Sequence, residues 1–144
     1  MGKSTAASNS FLALLYNATT WNLIAENDST SPATNLYVGL HTAAVSAGGD
    51  QTEDEATYTG YARLAIARTT GGWDVPSGGS TANAALAQFV ACTGGSNVIT
   101  HVSIGLAASG ASQILHSGAL NASRTISDGI QPQFAIGALV VTET

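Results

Sequence analysis

The chain has 144 residues, a net charge of −5, and only 9% charged residues against 44% apolar ones. That length suits one hydrophobic core, and its four basic residues, Lys3, Arg63, Arg68 and Arg124, are too scattered to form the basic patch that nucleic-acid binding needs. A single cysteine, Cys92, excludes an internal disulfide framework and a cysteine-rich zinc site, and no run approaches the ~20 apolar residues of a membrane-crossing helix.

The polar N-terminal stretch Met1 to Ser10 and the interrupted apolar segment after it do not read as a secretory leader. Soluble domains average about 25% charged residues, so a surface built instead from Ser, Thr and Asn repels its neighbours weakly. It fits a chain that works in an assembly. We expect a single domain over residues 1–144, with a helix at about 8–26 and a β domain at about 34–144.

In chain order, Ser10 to Glu26 reads as the helix, because Phe11, Leu14, Leu15 and Ala18 recur on one helical face. Ser8, Asn9 or Ser10 is the expected cap. Thr19-Thr20 weakens the segment midway, and Glu26 to Pro32 reads as a turn. From Thr34 the period becomes two, with Leu36, Val38 and Leu40 on one face of a half-buried strand and Tyr37, Gly39 and His41 on the other. A long loop from Ala43 to Thr57 then carries the acidic run Asp50 to Glu55.

Tyr61 to Arg68 alternates again, with Ala62, Leu64 and Ile66 expected inward and Tyr61, Arg63 and Ala65 outward. A Gly-rich connection over Thr70 to Ser80 leads to a strand-like stretch, Ala84 to Cys92. After the Gly94-Gly95 turn, Val98 to Leu106 is the clearest strand, with Val98, Val102, Ile104 and Leu106 in register. Gln113 to Leu120, Arg124 to Ser127 and Gln133 to Thr142 complete the set, the last with Phe134, Ile136, Ala138 and Val140 inward. No crossover helices fit between these strands, so the expected fold is mainly β: a jelly-roll-like β-sandwich of about eight strands with one N-terminal helix.

Chemistry is sparse. His41, His101 and His116 lie on different expected strands without a carboxylate or cysteine at ligand spacing, so they read as surface or polar-core histidines. The acidic loop lacks the alternating carboxylates and central glycine of a calcium loop. It reads as a solvated loop or as the partner of an arginine on a neighbouring subunit. There is no G-x-S-x-G elbow, and Gly105 to Gly110 lacks the lysine of a phosphate-binding loop. Cys92, in the apolar run Phe89-Val90-Ala91-Cys92, reads as a buried small hydrophobe. We therefore expect no enzyme, no cofactor and no metal.

The run Leu36-Tyr37-Val38-Gly39-Leu40-His41-Thr42-Ala43, the acidic insert, Tyr58-Thr59-Gly60-Tyr61-Ala62-Arg63 and Trp73 together resemble a family of small tailed-bacteriophage virion proteins. Ile99-Thr100-His101-Val102-Ser103-Ile104-Gly105 and the Gly110 turn extend the resemblance over about Leu36 to Val141. Members often go by the label of tail fibre protein; others of this size are capsid cement, or decoration, proteins. The chain looks most like the cement protein of the short-tailed Bordetella phage type. That resemblance implies a jelly-roll-like homodimer on the outer surface of the capsid, tying major capsid protein subunits together; a trimer is the other self-assembly considered. A tail-fibre or tail-tip host-binding protein is the rival. Tyr58, Tyr61, Arg63 and Trp73 are the expected contact residues, since aromatic residues and arginine are enriched at interface hot spots. Phe11 and Leu15 of the apolar helix join them.

Overall fold

The computed structural model describes residues 3–21 and 32–143. Among these the chain forms one helix and eight strands in antiparallel sheets, mainly β and consistent with a β-sandwich, as the sequence predicts. The elements are α1 (Thr5–Tyr16), β1 (Asn35–His41), β2 (Leu64–Ala67), β3 (Ser80–Ala82), β4 (Ala87–Gln88), β5 (Ser96–Gly105), β6 (Ile114–Ser127), β7 (Gln133–Phe134) and β8 (Val140–Thr142). They form a four-stranded sheet in the order β2-β1-β5-β6 and two-stranded sheets β3-β8 and β4-β7. The chain divides into two compact units: Met1–Asn35, Ile66–Ala87 and Phe134–Thr144 make the first, Leu36–Ala65 and Gln88–Gln133 the second.

In the first unit α1 starts earlier than its periodicity predicts. Ser4 is the N-cap, its hydroxyl accepting from the Ala7 N–H at 3.2 Å, in place of Ser8, Asn9 or Ser10. The helix ends at Tyr16, with Asn17 as C-cap and Ala18 in the left-handed region at φ 53°. The expected helical residues 22–26 and the turn up to Ser31 lie outside the described residues. The buried stripe is Ser8, Leu12 and Tyr16, not Phe11, Leu14, Leu15 and Ala18. It is set by what the helix packs on: Tyr16 meets Trp73 edge-on at 4.7 Å, and the Asn9 carboxamide oxygen accepts from the Gly79 N–H. Arg68 closes the other end, donating from Nε to the Leu15 carbonyl and from Nη2 to the Leu14 carbonyl at 2.7 Å, two carbonyls that a helix terminus leaves without an internal partner.

Asn83, fully buried, organises the rest of this unit. Its amide nitrogen donates to the Ala85 and Ala135 carbonyls at 2.7 and 2.9 Å, and its oxygen accepts from the Leu139 N–H at 2.8 Å. The expected long C-terminal strand is broken here by a turn, Ala138 N–H to Ala135 carbonyl, with Gly137 at φ 76°. A one-residue change of phase flips every later side chain. Leu139 and Val141 are therefore buried, while Ile136 and Val140 face solvent, the reverse of the sequence expectation.

In the second unit β1 and β5 pair in the register Val38↔Ile104 to His41↔His101. One face carries Leu36, Val38, Leu40 and Ile104; the other carries Gly39, His41 and Ser103. Both faces are buried, so β1 is not the half-buried strand its alternation suggests. Between the β5–β6 pairs Ile99↔Arg124 and His101↔Ala119 the register shifts, with Leu120 to Ser123 bulging on β6. The bulge joins the two strands expected at 113–120 and 124–127 into one. Ile99 is buried while Val98 is half exposed. Cys92 is buried as expected, its thiol against the Gly94 carbonyl at 3.2 Å.

Candidate functional site

The densest group of polar side chains is in the second unit, on the Gly39–His41 face of the sheet, where residues 42–57 lie across it. Arg63 is its centre. Expected to point outward, it is buried, and all five of its N–H donors are engaged. Nε donates to Glu55 Oε1 at 2.6 Å and Nη2 to Glu55 Oε2 at 2.8 Å, a bidentate pair. Nη2 also donates to the Gly110 carbonyl at 2.9 Å, while Nη1 donates to the Ala107 carbonyl at 3.0 Å and to Gln51 Oε1 at 3.3 Å. Glu55 thus answers this chain's own arginine. Of the acidic run, Glu55 is turned inward, where a buried guanidinium needs a carboxylate, while Asp54 faces solvent. Hydrogen bonding to Glu55 raises the guanidinium pKa above its ordinary value.

The network continues without a break. Tyr61 Oη accepts from the Leu40 N–H at 3.1 Å and donates to Glu55 Oε1 at 2.8 Å; burial holds this phenol well above its ordinary pKa. Gln51, fully buried, donates from Nε2 to the Tyr37 carbonyl at 2.9 Å and to Ser103 Oγ at 3.1 Å. Ser103 Oγ lies 2.7 Å from His41 Nε2, and His41 Nδ1 lies 2.8 Å from the Glu53 carbonyl. A carbonyl only accepts, so Nδ1 carries the proton. Nε2 then accepts from the serine hydroxyl, which itself accepts from Gln51. Burial pulls the imidazole pKa below its ordinary 6.5. The pair resembles a serine hydrogen-bonded to a histidine base, and both residues are fully buried.

Backbone shape makes room for this network. A Cβ on Gly105 would fall 2.2 Å from Gln51 Oε1 and 2.8 Å from the Gln113 carbonyl oxygen, so only glycine seats Gln51 there. Gly105→Ala is expected to cost about 3 kcal/mol in urea unfolding, combining overpacking with broken buried hydrogen bonds. Gly118→Ala, where a Cβ meets nothing within 4 Å, is expected to stay within about 0.5 kcal/mol of the parent. Equal costs at the two sites would refute this account of Gly105.

The expected contact residues separate between the units. Tyr58, Tyr61 and Arg63 gather in the second, where Tyr58 packs edge-on against Tyr61 at 5.4 Å and donates to the Val90 carbonyl at 3.2 Å. Burial pushes the Tyr58 phenol up to about 12. Trp73, Phe11 and Leu15 are in the first. Trp73 is fully buried on Tyr16, while Phe11 and Leu15 are half-buried, with the Lys3 ammonium 5.1 Å above the Phe11 ring. Tyr58, Arg63 and Trp73 therefore have packing roles inside the chain. Among the described residues, the large apolar groups that do face solvent are aliphatic: Val75, Leu86, Ile136 and Val140 in the first unit, Val90, Val98, Leu106 and Ile130 in the second. Aromatic-hot-spot reasoning passed over them. For Ile136 and Val140 the sequence signal is Gly137, whose turn shifts the phase of the last strand. Among the described residues no cluster of His, Cys, Asp or Glu is placed to hold a metal.

The family described as Podophage GP4 fiber I protein gp80 matches residues 5–142 of the chain. No curated protein matches the sequence.

Proposed function

The chain belongs to the podophage fibre I protein family, a family of structural virion proteins, and from that membership we propose that it is a component of the tail fibre, with a structural and not a catalytic role. The match over nearly the whole sequence carries this reading and favours it over shell cement, the leading expectation from the sequence resemblance. Low charge and solvent-facing aliphatic residues support it, because a surface of this kind is suited to burial against other virion chains. We further propose that copies of the chain associate with one another through such aliphatic surface. Binding to the major capsid protein, on the outside of the shell, is the competing outcome.

Counting copies per virion by quantitative mass spectrometry, together with gold-labelled antibody on intact particles, separates the two. Label at the tail, with copies in the tens or fewer, is expected. A ratio to the major capsid protein near one, or a simple fraction of it, with label over the shell, would replace the fibre reading by the cement one.

A further inference from the structure

Residues 42–57 form a strap over the polar face of the sheet in the second unit, fastened at several points. The Thr42 N–H donates to the Asp54 carbonyl and the Ala56 N–H to the Leu40 carbonyl, each at 2.8 Å; the Gln51 N–H donates to the Ser112 carbonyl at 3.1 Å. Between these points the strap is joined to β1 by His41, through the Glu53 carbonyl, and to β5 by Gln51, through Ser103. Of these fastenings, the imidazole is the group whose charge changes near neutrality.

We propose that the strap is an acid-releasable cover, held shut by the neutral imidazole of His41. A second proton on the ring puts a donor on Nε2, where Ser103 Oγ now donates. The serine hydroxyl hydrogen loses its acceptor, and a full positive charge sits in a fully buried site. The Arg63 guanidinium and the His101 ring, its register partner on β5, oppose that charge. The Glu53 carbonyl and the Glu55 carboxylate favour it, but both Glu55 oxygens are already engaged, by Arg63 and Tyr61. Asp50 and Asp54, also on the strap, lie toward solvent, where water screens them.

Burial outweighs these favourable contacts, so the closed strap holds His41 below the ordinary imidazole value of 6.5. The opened form binds a proton that the closed form does not. Closure is therefore fully favoured above pH 6.5 and loses ground as pH falls below it. The slope for one proton is about tenfold in the opening constant per pH unit, until the closed-state value is reached.

Amide hydrogen exchange on the intact chain, corrected for intrinsic rates and followed from neutral pH down to about 5, tests this. Protection at Gln51 and Ala56 is expected to fall about tenfold per pH unit below the free imidazole value, while amides of β5 paired with β1 keep theirs. His41→Asn keeps a donor for the Glu53 carbonyl and does not titrate, so its strap protection is expected to be flat with pH. The same slope in His41→Asn, or flat protection in the parent, would overturn the proposal. If His41→Asn fails to fold, the parent's His41 ring resonances decide. A midpoint below 6.5 that tracks strap exchange supports acid release, and one at or above 6.5, or unlinked to exchange, refutes it.

Discussion

Replacing Arg63 with methionine is expected to lower the stability of the chain by about 3–5 kcal/mol, measured by urea unfolding. The substitution keeps much of the side-chain volume but strands the Glu55 carboxylate, Gln51 Oε1 and the carbonyls of Ala107 and Gly110, all of which Arg63 now serves. An unpaired carboxylate on a largely buried side chain is the most expensive of these losses. Arg63→Lys is expected to recover little, because one ammonium cannot reproduce a planar fork with five donors. The double variant Arg63→Met, Glu55→Gln is expected to be more stable than Arg63→Met alone, since the stranded charge is gone. A cost below about 1 kcal/mol for Arg63→Met would place the arginine at a surface pair, where such values are usual, and not at the centre of a buried network.

Trp73→Ala is the second large effect expected, about 3–5 kcal/mol, because it opens a cavity beneath α1 and removes the edge-to-face contact with Tyr16. Trp73→Phe is expected to cost clearly less. The indole nitrogen is buried without a hydrogen-bond partner among the described residues, so phenylalanine gives up ring volume and no bond. Thermal unfolding followed by circular dichroism reads both, and for a chain of this length the alanine variant corresponds to a midpoint lower by about 10 °C. If Trp73→Ala instead kept its midpoint while losing self-association or attachment to the virion, the residue would be a contact after all, as first expected from the sequence.

These two residues mark the border between what patterning reveals and what it hides. Trp73 stands in a Gly-rich connection, and Arg63 in an alternating segment that ranks every charged residue as outward. Neither signal is wrong in kind. A tryptophan does seek cover, and an arginine does seek a carboxylate. What the sequence leaves open is whether the partner is another chain or a distant part of the same one. Arg63 meets Glu55 eight residues and Gln51 twelve residues away, local pairings within reach of sequence reasoning, but its two carbonyl acceptors lie 44 and 47 residues further on. Gln51 and Asn83 escaped notice altogether, because a single buried amide has no periodic signature; its role exists only once several carbonyls converge on it.

The sequence by itself determined the class of the fold, the strands β1 and β5, the Gly94-Gly95 turn before β5 and the burial of Cys92. Each rests on a local cause: period-two alternation, glycine at a turn that needs positive φ, an apolar run. Only the tertiary structure decided which side of each strand is covered. The register of β6 depends on a bulge at Leu120 to Ser123 and the phase of the last strand on the turn at Ala135 to Ala138, and a slip of one residue exchanges inside for outside. It also decided that the second face of β1 is buried under a polar strap. A strand reports its own alternation, but the long-range hydrogen bonds that cover its polar side are made by residues far away in the chain.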